Sequence, residues 1–190
     1  DQDMSAQAIR IRDSGADTVV TFALDREGNQ IVRSFDKIGY KPTIIGAWGI
    51  AGNLGDLAGP LANGVRVMQT FTWMGEMNPR TKAVWEKIQK KFKLKDPSEL
   101  KMGSATANSY DAVYILAKAI EKAGSYDWKK VHDALYTVKY DGLVAKYDPA
   151  FDASNPERQD AILPQYYKLT VWSDGKLLPI EQTVYGKAGN

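Results

Sequence analysis

The sequence predicts an α/β fold built on a parallel sheet, and three observations carry that expectation. An apolar, β-branched run over residues 16–23 is followed by a polar break and an amphipathic helix. A second apolar run, 43–47, comes after that helix, and a third, 64–71, comes after a short helical stretch. Two strands joined by a helix imply a right-handed parallel crossover, because a twisted strand feeding a right-handed helix packs back onto its sheet that way.

Taken in order, the chain opens with Asp3, which can cap a first helix over 4–14 with Met4, Ala8 and Ile11 as its buried stripe; Gly15 ends it. A parallel fold that opens on a helix normally has a strand before it. The chain also starts at Asp1 rather than Met, so the expectation is a processed or cut piece of something longer. The run 16–23 reads as a strand buried on both faces. Leu24-Asp25-Arg26-Glu27-Gly28 breaks it, and a helix follows with Ile31, Val32, Phe35 and Ile38 on one side and Arg33, Asp36 and Lys37 on the other. Gly39 stops this helix and Pro42 blocks its continuation. Glycine then recurs at 46, 49, 52 and 55, but the spacing is not G-x-G-x-x-G, and Trp48 is too bulky for a pyrophosphate-cradling turn. A flexible loop leading into a short helix over 54–58 is the better account.

The character changes near Thr72. Asn78 followed by Pro79 is a specific helix start, with Val84, Ile88 and Phe92 as the apolar edge. Asp96-Pro97 and Gly103 mark the connection to a helix with Tyr110, Val113, Tyr114 and Ala117 on one face. Gly124 ends it, and Asp127 caps another whose stripe is Trp128, Val131, Leu135 and Val138. A strand over 143–147 and a Pro- and Asp-rich loop over 148–160 follow. The runs 166–172 and 176–180 flank Asp174-Gly175, a strong tight-turn signal, so they form a hairpin.

Composition narrows the function. A net charge of +2, from 25 basic and 23 acidic residues, gives nothing to steer the chain toward nucleic acid. The lysines of KIQKKFKLK fall at helical spacing and read as a solvated face. No stretch approaches the roughly 20 apolar residues that span a bilayer. With no cysteine and a single histidine, His132, thiolate chemistry is excluded and zinc or copper sites are unexpected. No G-x-S-x-G surrounds any serine, and Asp152 and Asp160 lie in a polar loop with nothing apolar to shift their pKa. No catalysis, cofactor or metal is expected.

The residues that stand out are placed for binding. Ligands of open α/β sheets sit outside the carboxyl ends of the strands, which directs attention to Ala23, Leu24, Asp25 and Arg26 and to Trp48, Gly49 and Ile50. Asp25 reads either as a helix N-cap or as a carboxylate facing a ligand ammonium or hydroxyl. Trp48 either packs into the surface or offers a flat apolar wall to a ring or alkyl chain. Phe71, Trp73 and Met74 cluster where the two regions meet, as core or hinge packing.

The ordered motifs DQDMSAQ, SGADTVV, QIVRSFDKIG, TIIGAWG and GVRVMQTF resemble periplasmic binding proteins of the leucine/isoleucine/valine-binding type. These are the extracellular ligand-binding receptors of branched-chain-amino-acid-type ABC transporters. The later NSYDAVYILAKAI helix and the YYKLTVWSDGK hairpin fit as well. The resemblance runs over essentially the whole chain and covers the C-terminal half of a family member. It implies a type I periplasmic-binding-protein fold, of parallel three-layer α/β/α lobes, present here in part. Residues 1–71 would belong to the C-terminal lobe, 72–165 would complete the other lobe, and the hairpin of 166–190 would return toward the first. The crossover or hinge would lie at Thr70, Phe71, Thr72 and Trp73. The resemblance implies a periplasmic or lipid-anchored extracellular protein that partners a permease and is not an enzyme.

One departure matters. In the amino-acid binders of that family, an acidic residue in the loop after the second strand holds the ligand ammonium, and glycine spacing puts Trp48 there. Loss of that charge-assisted bond removes roughly 1.5–3 kcal/mol. A small carboxylate ligand with an apolar or aromatic body is therefore expected, bound by Ala23, Leu24, Asp25, Trp48 and Gly49. The alternatives are a branched-chain amino acid, with Asp25 compensating, or a sensory or regulatory receptor domain of the same fold. Exposed sheet edges would favour self-association or pairing with the missing N-terminal half.

Overall fold

The computed structural model describes residues 3–155 and 159–187, so the predicted loop over 148–160 lies partly outside the described residues. In chain order the elements are α1 (Ser5–Asp13), β1 (Thr18–Thr21), α2 (Asp25–Lys37), β2 (Thr43–Gly46), α3 (Leu54–Ala58), β3 (Arg66–Gln69) and α4 (Pro79–Phe92). They continue as α5 (Gly103–Ala123), α6 (Trp128–Leu135), β4 (Tyr140–Asp141), β5 (Lys146–Tyr147), β6 (Lys168–Ser173), β7 (Lys176–Pro179) and α7 (Val184–Lys187). Two compact units result, Asp1–Gly103 with Lys168–Asn190 and Ser104–Tyr167.

The first unit holds a five-stranded sheet in the order β1-β2-β3-β6-β7. β1, β2 and β3 are parallel, with Thr21 beside Gly46 and Gly46 beside Val67. β6 joins β3 antiparallel, with Val67 opposite Thr170, and β7 folds back on β6. Asp174 (φ 49°) and Gly175 (φ 76°) take the two positive-φ positions that a tight two-residue hairpin turn needs. α2 is amphipathic as expected: Val32 and Phe35 are buried with Ile44, Leu54, Val67 and Trp172 in one core, and Ile31 and Ile38 pack against it. Gly39 ends the helix at φ 66°, which lets the Tyr40 N–H return to the Phe35 carbonyl at 3.0 Å. α4 starts as the sequence predicts, the Asn78 side chain accepting from the Thr81 N–H at 2.8 Å with Pro79 at the first position.

The second unit is built differently. Ile115, Ala119, Ala134, Val138, Tyr140 and Tyr147 form its core beneath the short β4–β5 ribbon. At its centre Asp111, 1% exposed, accepts the Leu143 N–H at 2.7 Å, the Val144 N–H at 2.8 Å and the Tyr147 hydroxyl at 3.2 Å. Burial, and then the charge of Asp111, push the Tyr147 phenol well above its ordinary value.

Several expectations are corrected. Residues 16–23 do not form a strand buried on both faces: β1 is four residues at the sheet edge, with Val20 64% and Phe22 87% exposed. An apolar run encodes a strand but not its place in the sheet. Asp3 does not cap from the N-cap position, which Met4 occupies; its carboxylate takes the Ser5 N–H and pairs with Lys37 at 2.8 Å. On α4, Phe92 is exposed and Trp85 is buried in its place. On α5, the packed face is Ser104, Ala107, Asp111, Ile115 and Ala119, while Val113 and Tyr114 are exposed. The face with small residues allows close approach, and Asp111 is drawn in by the donors waiting for it. Trp128 is exposed, although it opens the predicted α6 stripe. The strand expected over 143–147 shrinks to the two residues of β5.

Candidate functional site

Because β1, β2 and β3 are parallel, their carboxyl ends share one edge of the sheet. Three loops leave from that edge, carrying Ala23, Leu24 and Asp25, then Trp48 and Gly49, then Thr70 to Trp73. The first two touch: a Cβ on Gly49 would lie 2.3 Å from the Ala23 carbonyl oxygen and 3.2 Å from the Leu24 side chain. Only glycine permits that approach, so Gly49 sets the separation of the two loops. Trp48 begins a single 3-10 turn, its carbonyl accepting the Ala51 N–H at 2.9 Å, and its side chain is half-buried. Leu24 is largely exposed beside it.

Asp25 is not the N-cap of α2. Leu24 holds that position without a side-chain cap bond, and Asp25 is the first helical residue. Its Oδ1 accepts the Leu54 N–H at 3.1 Å, at the start of α3. The other oxygen lies 2.6 Å from where a Cβ on Gly52 would stand. The carboxylate therefore anchors the loop after β2 to the loop after β1, an arrangement that local capping rules do not anticipate.

At the end of β3, Thr70 and Phe71 are buried. Trp73 packs edge-on against Phe71, with ring centroids 5.0 Å apart, and donates its indole N–H to the Gly103 carbonyl at 2.8 Å. Trp85 sits 6.2 Å from the same indole. The Thr72 hydroxyl accepts the Met74 N–H at 3.1 Å. Of the four residues expected at a hinge, Thr70, Phe71 and Trp73 are thus buried and Thr72 is partly open.

Two residues at this edge escaped the sequence reading. Phe22 presents its ring to solvent just before Ala23, and the two-residue alternation with Val20 was the signal available. Gln69 is 2% exposed with its Nε2 lacking any acceptor; a lone amide in the apolar run RVMQTF was its only mark. His132 lies on the surface of α6 with Asp133 at 3.3 Å, as a solvated histidine. Among the described residues no group of three or more His, Cys, Asp or Glu residues is placed to hold a metal, and no helix is long and apolar enough to cross a membrane.

The sequence matches the periplasmic binding protein family over residues 1–175. It is 31% identical over 185 residues to a protein of Brucella suis named Leu/Ile/Val-binding protein homolog 1, covering 96% of this chain and 46% of that one. A periplasmic binding protein type 1 from Bordetella pertussis has the same fold, with a TM-score of 0.80 at 23% identity over 95% of this chain and 50% of that one. A branched-chain amino acid transporter substrate-binding protein of Streptococcus pneumoniae, solved with isoleucine, gives 0.69 at 20% identity over 93% and 47% of the two chains. A solute-binding protein of Rhodopseudomonas palustris, solved with benzoate, also gives 0.69, at 14% identity over 95% and 46%. The chain spans about half the length of the relatives it matches.

Proposed function

This chain belongs to the periplasmic binding protein family, and from that premise we propose that it forms part of the substrate-binding component of an ABC importer, capturing a small carboxylate with an apolar or aromatic body. Trp48 carries the reading. The loop after β2 presents an indole and no carboxylate, while the nearby Asp25 carboxylate is already bonded to the Leu54 N–H. An α-ammonium brought to this edge would have to compete with that bond. An aromatic acid makes no such demand and gains ring contact with Trp48, with Phe22 and Leu24 as further apolar surface. The relatives span both chemistries, one solved with isoleucine and one with benzoate.

On this reading Ala23, Leu24, Asp25, Trp48 and Gly49 face the ligand, Asp25 by fixing the loops rather than by touching an ammonium. Residues 1–71 and the hairpin of 166–190 serve one lobe, 72–165 the other, with Thr70 to Trp73 between them. The protein works in the periplasm or on the outer cell surface, delivers ligand to a permease and turns nothing over. The exposed Val20 and Phe22 at the β1 edge favour pairing with another chain or with the remainder of a longer protein. Light scattering that finds only monomer at crystallisation concentrations would remove that last point.

The test is a thermal-shift titration of the full-length protein against benzoate, phenylpropanoid acids, leucine and valine. The aromatic acids should raise the midpoint with the logarithm of concentration. Tight binding of leucine or valine with indifference to the aromatic acids would establish the branched-chain amino acid reading instead, with Asp25 released from Leu54.

A further inference from the structure

A cavity lies at the opposite edge of the same sheet, where β2 and β3 begin. It measures about 440 Å³, within the range of small-molecule sites, and is lined by the end of α2, the 40–44 segment, the 60–66 segment and Tyr185 of α7. Its walls are mixed, with Phe35, Pro42 and Leu61 supplying apolar surface beside polar groups. Tyr185 closes one side against Gly64, where a Cβ would stand 3.1 Å from its ring. The Tyr40 hydroxyl is bonded to the Ala16 carbonyl and is not available to a ligand.

The charges are what distinguish it. Arg66 lines the cavity at the first position of β3, and its Nε is shut away from solvent without a hydrogen-bond acceptor. Lys41 stands on the same lining, and among the described residues neither cation is in a salt bridge. Asp36 is the one acidic residue lining it, so the lining carries a net single positive charge. A half-buried guanidinium left uncompensated is unfavourable, and an anion lodged beside it would relieve that cost.

We propose that this cavity is a second binding site, for a monoanionic carboxylate bearing a flat apolar body, with Arg66 as the principal partner of the carboxylate. The planar fork of arginine matches a carboxylate, the apolar surface of Phe35, Pro42 and Leu61 matches a ring, and Asp36 disfavours a doubly charged anion. The site stands apart from the loops after β1 and β2, because it is built on the starts of the parallel strands rather than on their ends.

The experiment is a ¹H–¹⁵N titration of the intact protein with benzoate, benzamide and inorganic phosphate. Benzoate should shift the Arg66 Nε–H and the amides of Lys41, Thr43, Ile44 and residues 64–66 saturably. Benzamide, equal in shape but uncharged, should bind there roughly tenfold more weakly or worse, and phosphate should leave these signals unmoved. Arg66→Leu should abolish the effect and Arg66→Lys should weaken it several-fold, whereas Trp48→Ala should leave it intact and thereby separate this site from the proposed ligand edge. Should Arg66→Leu fail to fold, Arg66→Lys and the benzamide comparison decide the matter. Equal shifts with benzamide, shifts confined to the Ala23 and Trp48 loops, or an unchanged response in the Arg66 variants would each overturn the proposal.

Discussion

In the unit of Asp1–Gly103 with Lys168–Asn190, the centre is apolar: Leu54, Val67 and Ile50 are sealed from solvent, and the Trp172 indole, bonded to the Ile50 carbonyl at 3.0 Å, ties the terminal hairpin to the loop after β2. In Ser104–Tyr167 the centre is a carboxylate. Asp111 gathers two backbone N–H groups and a phenol, and around it Tyr114, Tyr140 and Tyr147 stack at centroid spacings of 5.7 Å and 6.3 Å. The difference teaches how each unit fails. Apolar burial is spread over many contacts and is lost in proportion to the atoms removed. A shared acceptor is lost all at once, leaving every donor that relied on it unpaired.

The largest effect is therefore expected at Asp111. Asp111→Ala should destabilise the second unit by about 4 kcal/mol, as three donors each lose an acceptor at roughly 1–3 kcal/mol apiece, offset in part by water. Hydrogen exchange should show protection vanishing at the Leu143 and Val144 amides while Ile44 and Val67 keep theirs. Simultaneous loss in both units would mean that they unfold as one body, and the comparison would break. Leu54→Ala is the counterpart in the first unit. It should cost about 3 kcal/mol by opening a cavity beside Phe35 and Trp172, with exchange rising in β2 and β3 instead. Asn78→Ala should cost only about 1 kcal/mol, because it removes one cap bond at a solvated helix start; a urea midpoint series resolves it.

The same contrast governs what the sequence made legible. α2, the 54–58 helix, the Asn78-Pro79 start and the Asp174-Gly175 hairpin follow from periodicity and turn chemistry, which act within a few residues. The burial of Asp111 does not, because its partners lie 32 to 36 residues away and a lone aspartate on a helix reads as surface. The packed face of α5 was misjudged for that reason. At the proposed ligand edge, Gly49 and Trp48 were visible as a glycine-flanked tryptophan after a strand. The bond from Asp25 to Leu54 was not, since it joins two helix starts across 29 residues and obeys no local rule. Gln69 and Arg66 stand at the two ends of β3, three residues apart and so on opposite faces, where a polar side chain gives no hint of whether it finds a partner.

The smallest expected effect probes the phenol beside Asp111. In the folded unit Tyr147 ionises only well above the ordinary value of 10.0, first because it is buried and then because Asp111 is negative. Below that value both the folded and the unfolded chain hold the proton, so stability is independent of this group. Above it the unfolded chain releases the proton first, fewer protons are bound in the unfolded state, and stability falls as pH rises. Tyr147→Phe deletes the titrating group and one bond of 3.2 Å, which should cost under about 1 kcal/mol near neutrality. Urea midpoints of the two proteins should then draw together between about pH 9 and pH 11, as the native chain loses its advantage. If the gap stays constant over that range, the surroundings of Asp111 are wetter than its hydrogen bonds indicate. The second unit would then share the graded failure of the first.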